Sequence, residues 1–394
     1  MRALLAGHGW DMDRSATPIY FEREEGQLLA DTPDQLDGVL AALDDVAASG
    51  DRDLLAIGFI TYEAGVWLEG STSLFRSPEG TPLAAFGIYR LQDAVRRAPA
   101  PQGARFTLEE RATAQVSLSP REWDRGVEEI RSAISRGDVY QVNLTRRTRL
   151  CALVDPFAVA GTLFRENPVP YAFTLADEGW AVVSNSPELF LDADLTAGWA
   201  ASAPIKGTIA REGTSSLDED AKGRLVSSAK DAAEHVMIVD LIRNDLGRAA
   251  VPGGISVPRF REVKTFRHLH HLESTVAARL APGVAPSDLF RATLPGGSIT
   301  GAPKRAALRC IREIEPCPRG AYTGAAGFVR GDERAVFNVS IRTAILHDGL
   351  VDYHAGGGIV WDSDPAAESA EVETKSREFH ALLPAGPGSG GESG

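Results

Sequence analysis

Up to about Gln115 the chain alternates short apolar runs with turn residues. The run from Leu54 to Tyr62 reads as one buried strand, and Ala84 to Tyr89 as another. Between Asp34 and Ala48, Leu36, Val39, Leu40, Leu43 and Val46 recur at helical spacing, which predicts an amphipathic helix. Arg96 to Ala104, rich in prolines and small residues, reads as a connector. From Ser119 the pattern sharpens. Ser119-Pro-Arg-Glu122 starts a helix: Ser caps, Pro takes the first helical position, and Glu reaches back to the cap. Trp123, Val127, Ile130 and Ile134 follow one face, and Gly137 supplies a left-handed stop. Val139 to Leu150 then has the alternation of a strand, with Tyr140, Val142 and Leu144 on one face and Gln141, Asn143 and Thr145 on the other. An uncharged polar face of this kind either lines a solvent-excluded site or meets water. The pattern alone predicts water.

Two further helical patterns carry acids. Ser216-Leu-Asp-Glu219 has capping-box spacing, and one helix is expected from it through Leu225, Ala229, Ala232, Val236 and Val239 to about Gly247. Asp231 and Glu234, three residues apart, share a face of it. Pro365 to Leu382 predicts another helix, with Glu368 and Glu371 on one face and Lys375 a turn beyond. Carboxylates without His or Cys partners suit a hard cation such as Mg2+, which shares its shell with an oxygen-rich substrate. The commoner role of such a pair is a solvated helix face, and spacing does not tell whether the two helices meet. Leu294 to Lys304 has the glycines of a phosphate-binding loop but not its lysine. That loop places Lys directly after its last Gly and then Ser or Thr; here Ala302 and Pro303 intervene between Gly301 and Lys304. A nucleotide-binding kinase or ATPase is thereby excluded. Backbone N–H groups at the helix beginning near Pro303 still offer a place for a carboxylate.

Composition narrows the partners. Asp and Glu total 54 against 41 Lys and Arg, a net charge of -13. Such a surface repels a phosphate backbone, which argues against nucleic acid, and an anionic substrate needs a local cluster of Lys and Arg. No apolar run approaches the length of a membrane span, and the first ten residues lack the apolar centre of a signal peptide. Cys151, Cys310 and Cys317 have no paired metal-ligand spacing and read as reduced thiols, so a cytoplasmic location is expected. The tail from Pro384 to Gly394, mostly Gly, Pro and Ser, reads as disordered.

A series of unusual blocks follows in fixed order. They are Tyr140-Gln-Val-Asn-Leu-Thr145, Ser186-Pro-Glu-Leu-Phe190, Ala203-Pro-Ile-Lys-Gly-Thr208 and the stretch from Glu234 to Gly247. His270 to Thr275, Gly296 to Lys304, Tyr322 to Gly327, Ser340 to Thr343 and Ala355 to Val360 complete the series. Over roughly Ser119 to Leu382 the chain resembles the chorismate-utilising enzymes, and the block around Lys206 resembles the signature of aminodeoxychorismate synthase component I. The resemblance implies an α+β fold of two large, mostly antiparallel sheets packed face to face with helices outside. It implies an N-terminal subdomain (1–115), a chorismate-binding catalytic domain (116–383) and a tail (384–394). It also implies conversion of chorismate and ammonia to 4-amino-4-deoxychorismate, for 4-aminobenzoate and folate.

Two positions discriminate among relatives of this kind. Lys206 stands where anthranilate and salicylate synthases have Ala. Gln141 stands where the water-adding isochorismate and salicylate synthases have a Lys base. The resemblance therefore implies a nucleophilic Lys206, whereas its residue type alone reads as an exposed turn lysine. Glu188 resembles the general acid for the departing hydroxyl. Glu234 and Glu371 resemble direct Mg2+ ligands, with Asp231 and Glu368 close by. Arg342, Tyr322 and the backbone of Gly356 and Gly357 resemble the clamp for the enolpyruvyl carboxylate, where a forked guanidinium suits bidentate binding. His271 and Ser298 match positions around the ring and its leaving group, and Thr208 and Lys375 complete a polar wall. No Cys stands in the Gly-flanked turn of a glutamine-hydrolysing nucleophile, so a separate glutaminase subunit is expected to supply ammonia. Two other readings stay open. One is anthranilate synthase component I or 2-amino-2-deoxyisochorismate synthase; the other is a protein that binds chorismate without turning it over.

Overall fold

The structure, a computed structural model, describes residues 1–10, 12, 17–96, 107–108, 114–266 and 269–380. The tail 384–394 and, beyond Arg96, the expected connector lie outside the described residues. The first two apolar runs form Leu54–Ile60 and Ala84–Arg90, adjacent antiparallel strands, and Leu55 through Ile60 are all buried. Pro33–Ala48 is the expected helix and buries Leu36, Val39, Leu40 and Leu43. Pro120–Ser135 opens with the reciprocal cap: Ser119 N donates to Glu122 at 2.8 Å, and Glu122 N donates back to the Ser119 hydroxyl at 3.4 Å.

Among the described residues the strands form two ten-stranded sheets, paired antiparallel. In the first, Gln141–Leu153 lies between the short Gly301–Ala302 and the long Leu350–Ile359. Thr343–His347, Trp180–Ser186, Tyr171–Ala176 and Arg2–Ala6 follow in order. In the second, Leu269–Leu280 pairs with Ile205–Ala210, Trp199–Ala203 and Ala250–Thr265. That sheet continues through Leu189–Asp194, Arg334–Val339 and Ala325–Arg330 to Leu54–Ile60 and Ala84–Arg90. Residues before Gln115 thus supply strands to both sheets. The sheets face one another across an apolar layer that joins Leu5, Phe173 and Val182 of the first to Ile57, Phe328 and Val336 of the second. Phe59 and Trp180 meet edge to face across it, 5.5 Å between centroids. Full burial of side chains this size contributes roughly 2–3 kcal/mol each, so the layer is a major source of cohesion. Helices Pro120–Ser135, Lys304–Ile314 and Pro365–His380 pack on the first sheet, and Ala229–Gly247 packs on the second. This is the α+β architecture that the resemblance implied. Among the described residues no helix is long and apolar enough to cross a membrane.

Two expectations are corrected. The single helix from Ser216 to about Gly247 is two, Ser215–Ser227 and Ala229–Gly247. Ser228 takes an extended backbone (ψ 110°), and its carbonyl accepts from Ala232 N at 3.0 Å, which starts the second helix afresh. The Ser216–Glu219 cap does not form, because the helix already begins at Ser215 with Thr214 in the N-cap position, which leaves Ser216 inside the first turn. Asp218 binds Arg211, His270 and the Glu212 N–H, while Glu219 pairs with Lys222. Nor does the polar face of Gln141–Leu153 meet water: Gln141 is 2% and Thr145 4% exposed. The loop carrying Ser298 folds over that face, with Asn143 N donating to Thr300 O at 2.8 Å and Asn143 Nδ2 to Ser298 O at 2.7 Å.

Candidate active site

Lys206 owes its position to a break in strand register. Ile205 lies opposite Glu273 and Thr208 opposite His271, and the pairing slips between them where Gly207 adopts φ 88°. An irregularity of this kind re-aims the side chain beside it. Lys206 Nζ meets Glu234 Oε2 at 2.6 Å, with the lysine side chain 23% exposed. His235, the next residue of the same helix, lies with Nδ1 3.3 Å from Lys206 O and Nε2 2.6 Å from the Ser274 hydroxyl. The helix Ala229–Gly247 therefore grips Lys206 at both its amine and its carbonyl.

Glu188 sits where the chain crosses from the first sheet to the second, between Trp180–Ser186 and Leu189–Asp194. Its N–H donates to the Ser186 hydroxyl at 3.2 Å, and its carbonyl accepts from Val339 N at 3.0 Å. Burial pushes its carboxyl up to about 7, and the neighbouring Glu273 adds to the rise. A hydrogen bond from Ser298 and the ammonium of Lys206 act against it. A carboxyl poised at neutral pH can hold a proton and release it, the property a general acid requires. His271 Nδ1 and the Thr208 hydroxyl are 2.7 Å apart. Burial, reinforced by the Arg342 guanidinium, lowers the imidazole to about 3 and keeps it neutral.

The first sheet supplies the opposite wall. A Cβ at Gly358 would lie 2.3 Å from Gln141 Nε2, so only glycine leaves room for that amide. Gln141 Oε1 is buried without a hydrogen-bond partner in the protein. Lys375 Nζ donates to Gly356 O at 2.9 Å and pairs with Glu371 Oε1 at 2.7 Å. Glu368 accepts from the Ser363 hydroxyl at 2.6 Å, and its other oxygen lies 3.2 Å from where a Gly357 Cβ would be. Tyr322 stacks on His354, centroids 5.2 Å apart at 16°. Arg342 and Thr323, the residue after Tyr322, have φ of 50° and 60°, left-handed values uncommon outside glycine. The Thr323 N–H to Ser340 O bond, 2.8 Å, ties the two strained turns together.

The fold thus connects Lys206, Glu234, Glu188 and Ser298, sets Thr208, His271 and Arg342 beside one another, and groups Gly356, Gly357, Lys375, Glu371 and Glu368. Asp231 lies one turn before Glu234, and its side chain is outside the described residues. Among the described residues no three His, Cys, Asp or Glu side chains form a group able to hold a metal. Sequence reasoning passed over His235, Asn143, Glu273 and Arg319. The first three stand inside the motif blocks, one or two positions from Glu234, Gln141 and His271; Arg319 stands three residues before Tyr322, outside any block.

The sequence profile of the chorismate binding enzymes matches residues 9–381. Aminodeoxychorismate synthase component 1 of Klebsiella aerogenes is 42% identical over 285 residues, 72% of this chain and 62% of that protein. Anthranilate synthase component 1 of Streptomyces coelicolor is 40% identical over 301 residues, 74% of this chain and 58% of that protein. The chain spans about three fifths of the length of these relatives. Among solved structures, anthranilate synthase component I of Streptococcus pneumoniae superposes with a TM-score of 0.73 at 25% identity, covering 96% of this chain and 89% of that one. The menaquinone-specific isochorismate synthase of Escherichia coli shares the fold, with a TM-score of 0.74 at 19% identity over 97% of this chain and 88% of that one. With residues 9–381 matched by the profile, nearly the whole of this chain, the chain belongs to the chorismate-binding enzyme family.

Proposed function

We propose that the chain converts chorismate and ammonia to 4-amino-4-deoxychorismate. Aminodeoxychorismate and anthranilate synthases match at similar identity, so the choice between them rests on the site. The observation that carries the reading is Lys206, aimed by the Gly207 irregularity into contact with Glu234 and facing the proton-bearing Glu188.

Glu234, 2.6 Å from Lys206 Nζ, is within reach to take the ammonium proton. The freed amine adds to ring carbon C2, the double bond shifts, and the C4–O bond breaks. Glu188 protonates the departing hydroxyl, which leaves as water. Ammonia then adds at C4, the double bond shifts back, and the C2–N bond to Lys206 breaks, releasing its neutral amine; the new C4 ammonium returns a proton to Glu188, and Glu234 returns its proton to Lys206. The sum is chorismate plus ammonia giving the amine and water. Arg342, Tyr322 and the Gly356–Gly357 backbone hold the enolpyruvyl carboxylate; neutral His271 and Thr208 face the ring. Gln141 cannot act as a base, so water is not activated in place of ammonia.

Mg2+ needs only one or two protein carboxylates when substrate and water complete its shell. Glu234 and Glu371 are donors of that kind. Each is paired with a lysine ammonium, Glu234 with Lys206 and Glu371 with Lys375, so Mg2+ would have to bind through the other carboxylate oxygen or displace the ammonium. Glu368 and Asp231 stand by as outer partners. Bound there, Mg2+ would neutralise the ring carboxylate. The ammonia source in this reading is a separate glutaminase subunit, in keeping with relatives named component 1, and the product serves 4-aminobenzoate and folate synthesis in the cytoplasm. The test is product identification by chromatography and mass after mixing the purified chain with chorismate, Mg2+ and ammonium. The expected product is 4-amino-4-deoxychorismate. Release of anthranilate or 2-amino-2-deoxyisochorismate would reassign the chain, and bound but unaltered chorismate would leave a binding protein.

A further inference from the structure

The guanidinium of Arg319 is buried beneath the site, its side chain 1% exposed. Glu315 takes two of its N–H groups, Nε to Oε2 at 2.9 Å and Nη2 to Oε1 at 2.7 Å. Nη1 donates to Ile299 O at 2.9 Å and to the Thr323 hydroxyl at 3.4 Å, and Nη2 donates to Asn143 O at 2.8 Å. All five donors of the fork are used. The group is braced from behind as well: Glu63 accepts the N–H of Arg319 at 2.7 Å and of Gly320 at 3.0 Å, and Tyr62 lies 4.6 Å beneath the guanidinium. Glu315 Oε1 also accepts from Thr145 N at 2.9 Å, so the pair holds the strand Gln141–Leu153 at two points.

A buried ion pair by itself adds little net stability over apolar packing, and this one is spread over three separate segments of the site. Ile299 follows Ser298, whose side chain lies near enough to Glu188 to act on its carboxyl. Asn143 tethers the Ser298 carbonyl at 2.7 Å. Thr323 follows Tyr322. We propose that Arg319 is a positioning residue for the reaction: without touching substrate, it fixes the Ser298 loop against Asn143 and so holds that loop in place beside Glu188. This rests on Glu188 being the acid of the proposed reaction. A lysine at this position keeps the charge that Glu315 needs but, as a compact point charge, cannot bridge carbonyls on two segments.

The experiment compares wild type, Arg319→Lys and Asn143→Ala by steady-state kinetics, with chorismate varied at fixed ammonium and Mg2+. Near-ultraviolet circular dichroism and thermal unfolding report the folded state of each. Arg319→Lys is expected to stay folded and lose about 100-fold in kcat, the scale of a small misplacement of catalytic groups, with KM for chorismate within about threefold. Asn143→Ala keeps the guanidinium and cuts only the side-chain tether to Ser298; kcat is expected to fall about tenfold with KM unchanged. In the double variant the losses should be less than multiplicative, because both act on one loop. A lower melting temperature with wild-type kcat in folded Arg319→Lys overturns the proposal. If that variant does not fold, wild-type kcat in Asn143→Ala overturns it instead. Chorismate consumption is followed alongside product, so an unexpected product refutes the proposed function while the variant comparison stands.

Discussion

Lys206 makes its ion pair with Glu234 at 2.6 Å, and an ammonium is no nucleophile. In the proposed reaction its chemistry therefore depends on the carboxylate beside it as much as on its own side chain. Glu188 suits the complementary role in that proposed reaction: burial lifts its carboxyl to about 7, the range a general acid for a departing hydroxyl requires. Replacing Lys206 by Ala should lower 4-amino product formation by orders of magnitude, the scale of a lost nucleophile. Without ammonia the wild type should accumulate a covalent adduct on Lys206, visible as an added mass that maps to its peptide. Normal product rates in the variant would remove Lys206 from the covalent role.

The strands Gln141–Leu153 and Leu350–Ile359 place Gln141 against Gly358 at one end and an ion cluster at the other. There Arg149 donates to both oxygens of Asp352 at 2.6 Å, and His347 Nε2 lies 3.2 Å from the same carboxylate. Burial alone would raise Asp352, but the bonds from Arg149 and His347 hold it well below the usual carboxylate range. A depressed folded-state value contributes stability that is complete above the unfolded value of about 3.9 and is lost as pH falls below it. Asp352→Asn breaks a buried pair and should cost about 3–5 kcal/mol at pH 7. Urea unfolding of variant and wild type should converge as the pH drops below about 4. An undiminished difference in acid would mean that packing, not charge, accounts for the loss.

At the scale of the molecule, a net charge of -13 surrounds a site that, in the proposed reaction, must bind an anion. Lys206, Arg342 and Lys375 must supply the opposing local field, since interactions beyond the roughly 8 Å screening length count for little. None of the three cysteines stands in a Gly-flanked turn of the kind a glutamine-hydrolysing nucleophile occupies. Cys151 is exposed on a strand, and burial raises the thiols of Cys310 and Cys317, which disfavours the thiolate. The purified chain is expected to use ammonium salts and not glutamine, with rates rising toward alkaline pH as ammonium loses its proton. Rates with ammonium, with glutamine, and with glutamine plus a glutaminase subunit, each at two pH values, check this. Turnover of glutamine by the chain alone would contradict it.

Local rules reached a long way into this protein. The Ser119 cap, the Pro33–Ala48 stripe and the apolar runs at Leu54 and Ala84 were legible because periodicity and capping depend on neighbours a few residues away. The motif blocks named the residues of the candidate site, yet not one of their contacts. The break at Ser228, the burial of Gln141 and the union of Lys206 with Glu234, 28 positions apart, were decided by strand register and by a loop folding over a sheet. Arg319 is the clearest case. Its acceptors come from Asn143, Ile299, Glu315 and Thr323, and only the packed structure brings those segments within reach of a single guanidinium. A sequence encodes which face of an element is apolar; which polar groups then meet depends on how the elements are stacked, and that is a property of the whole fold.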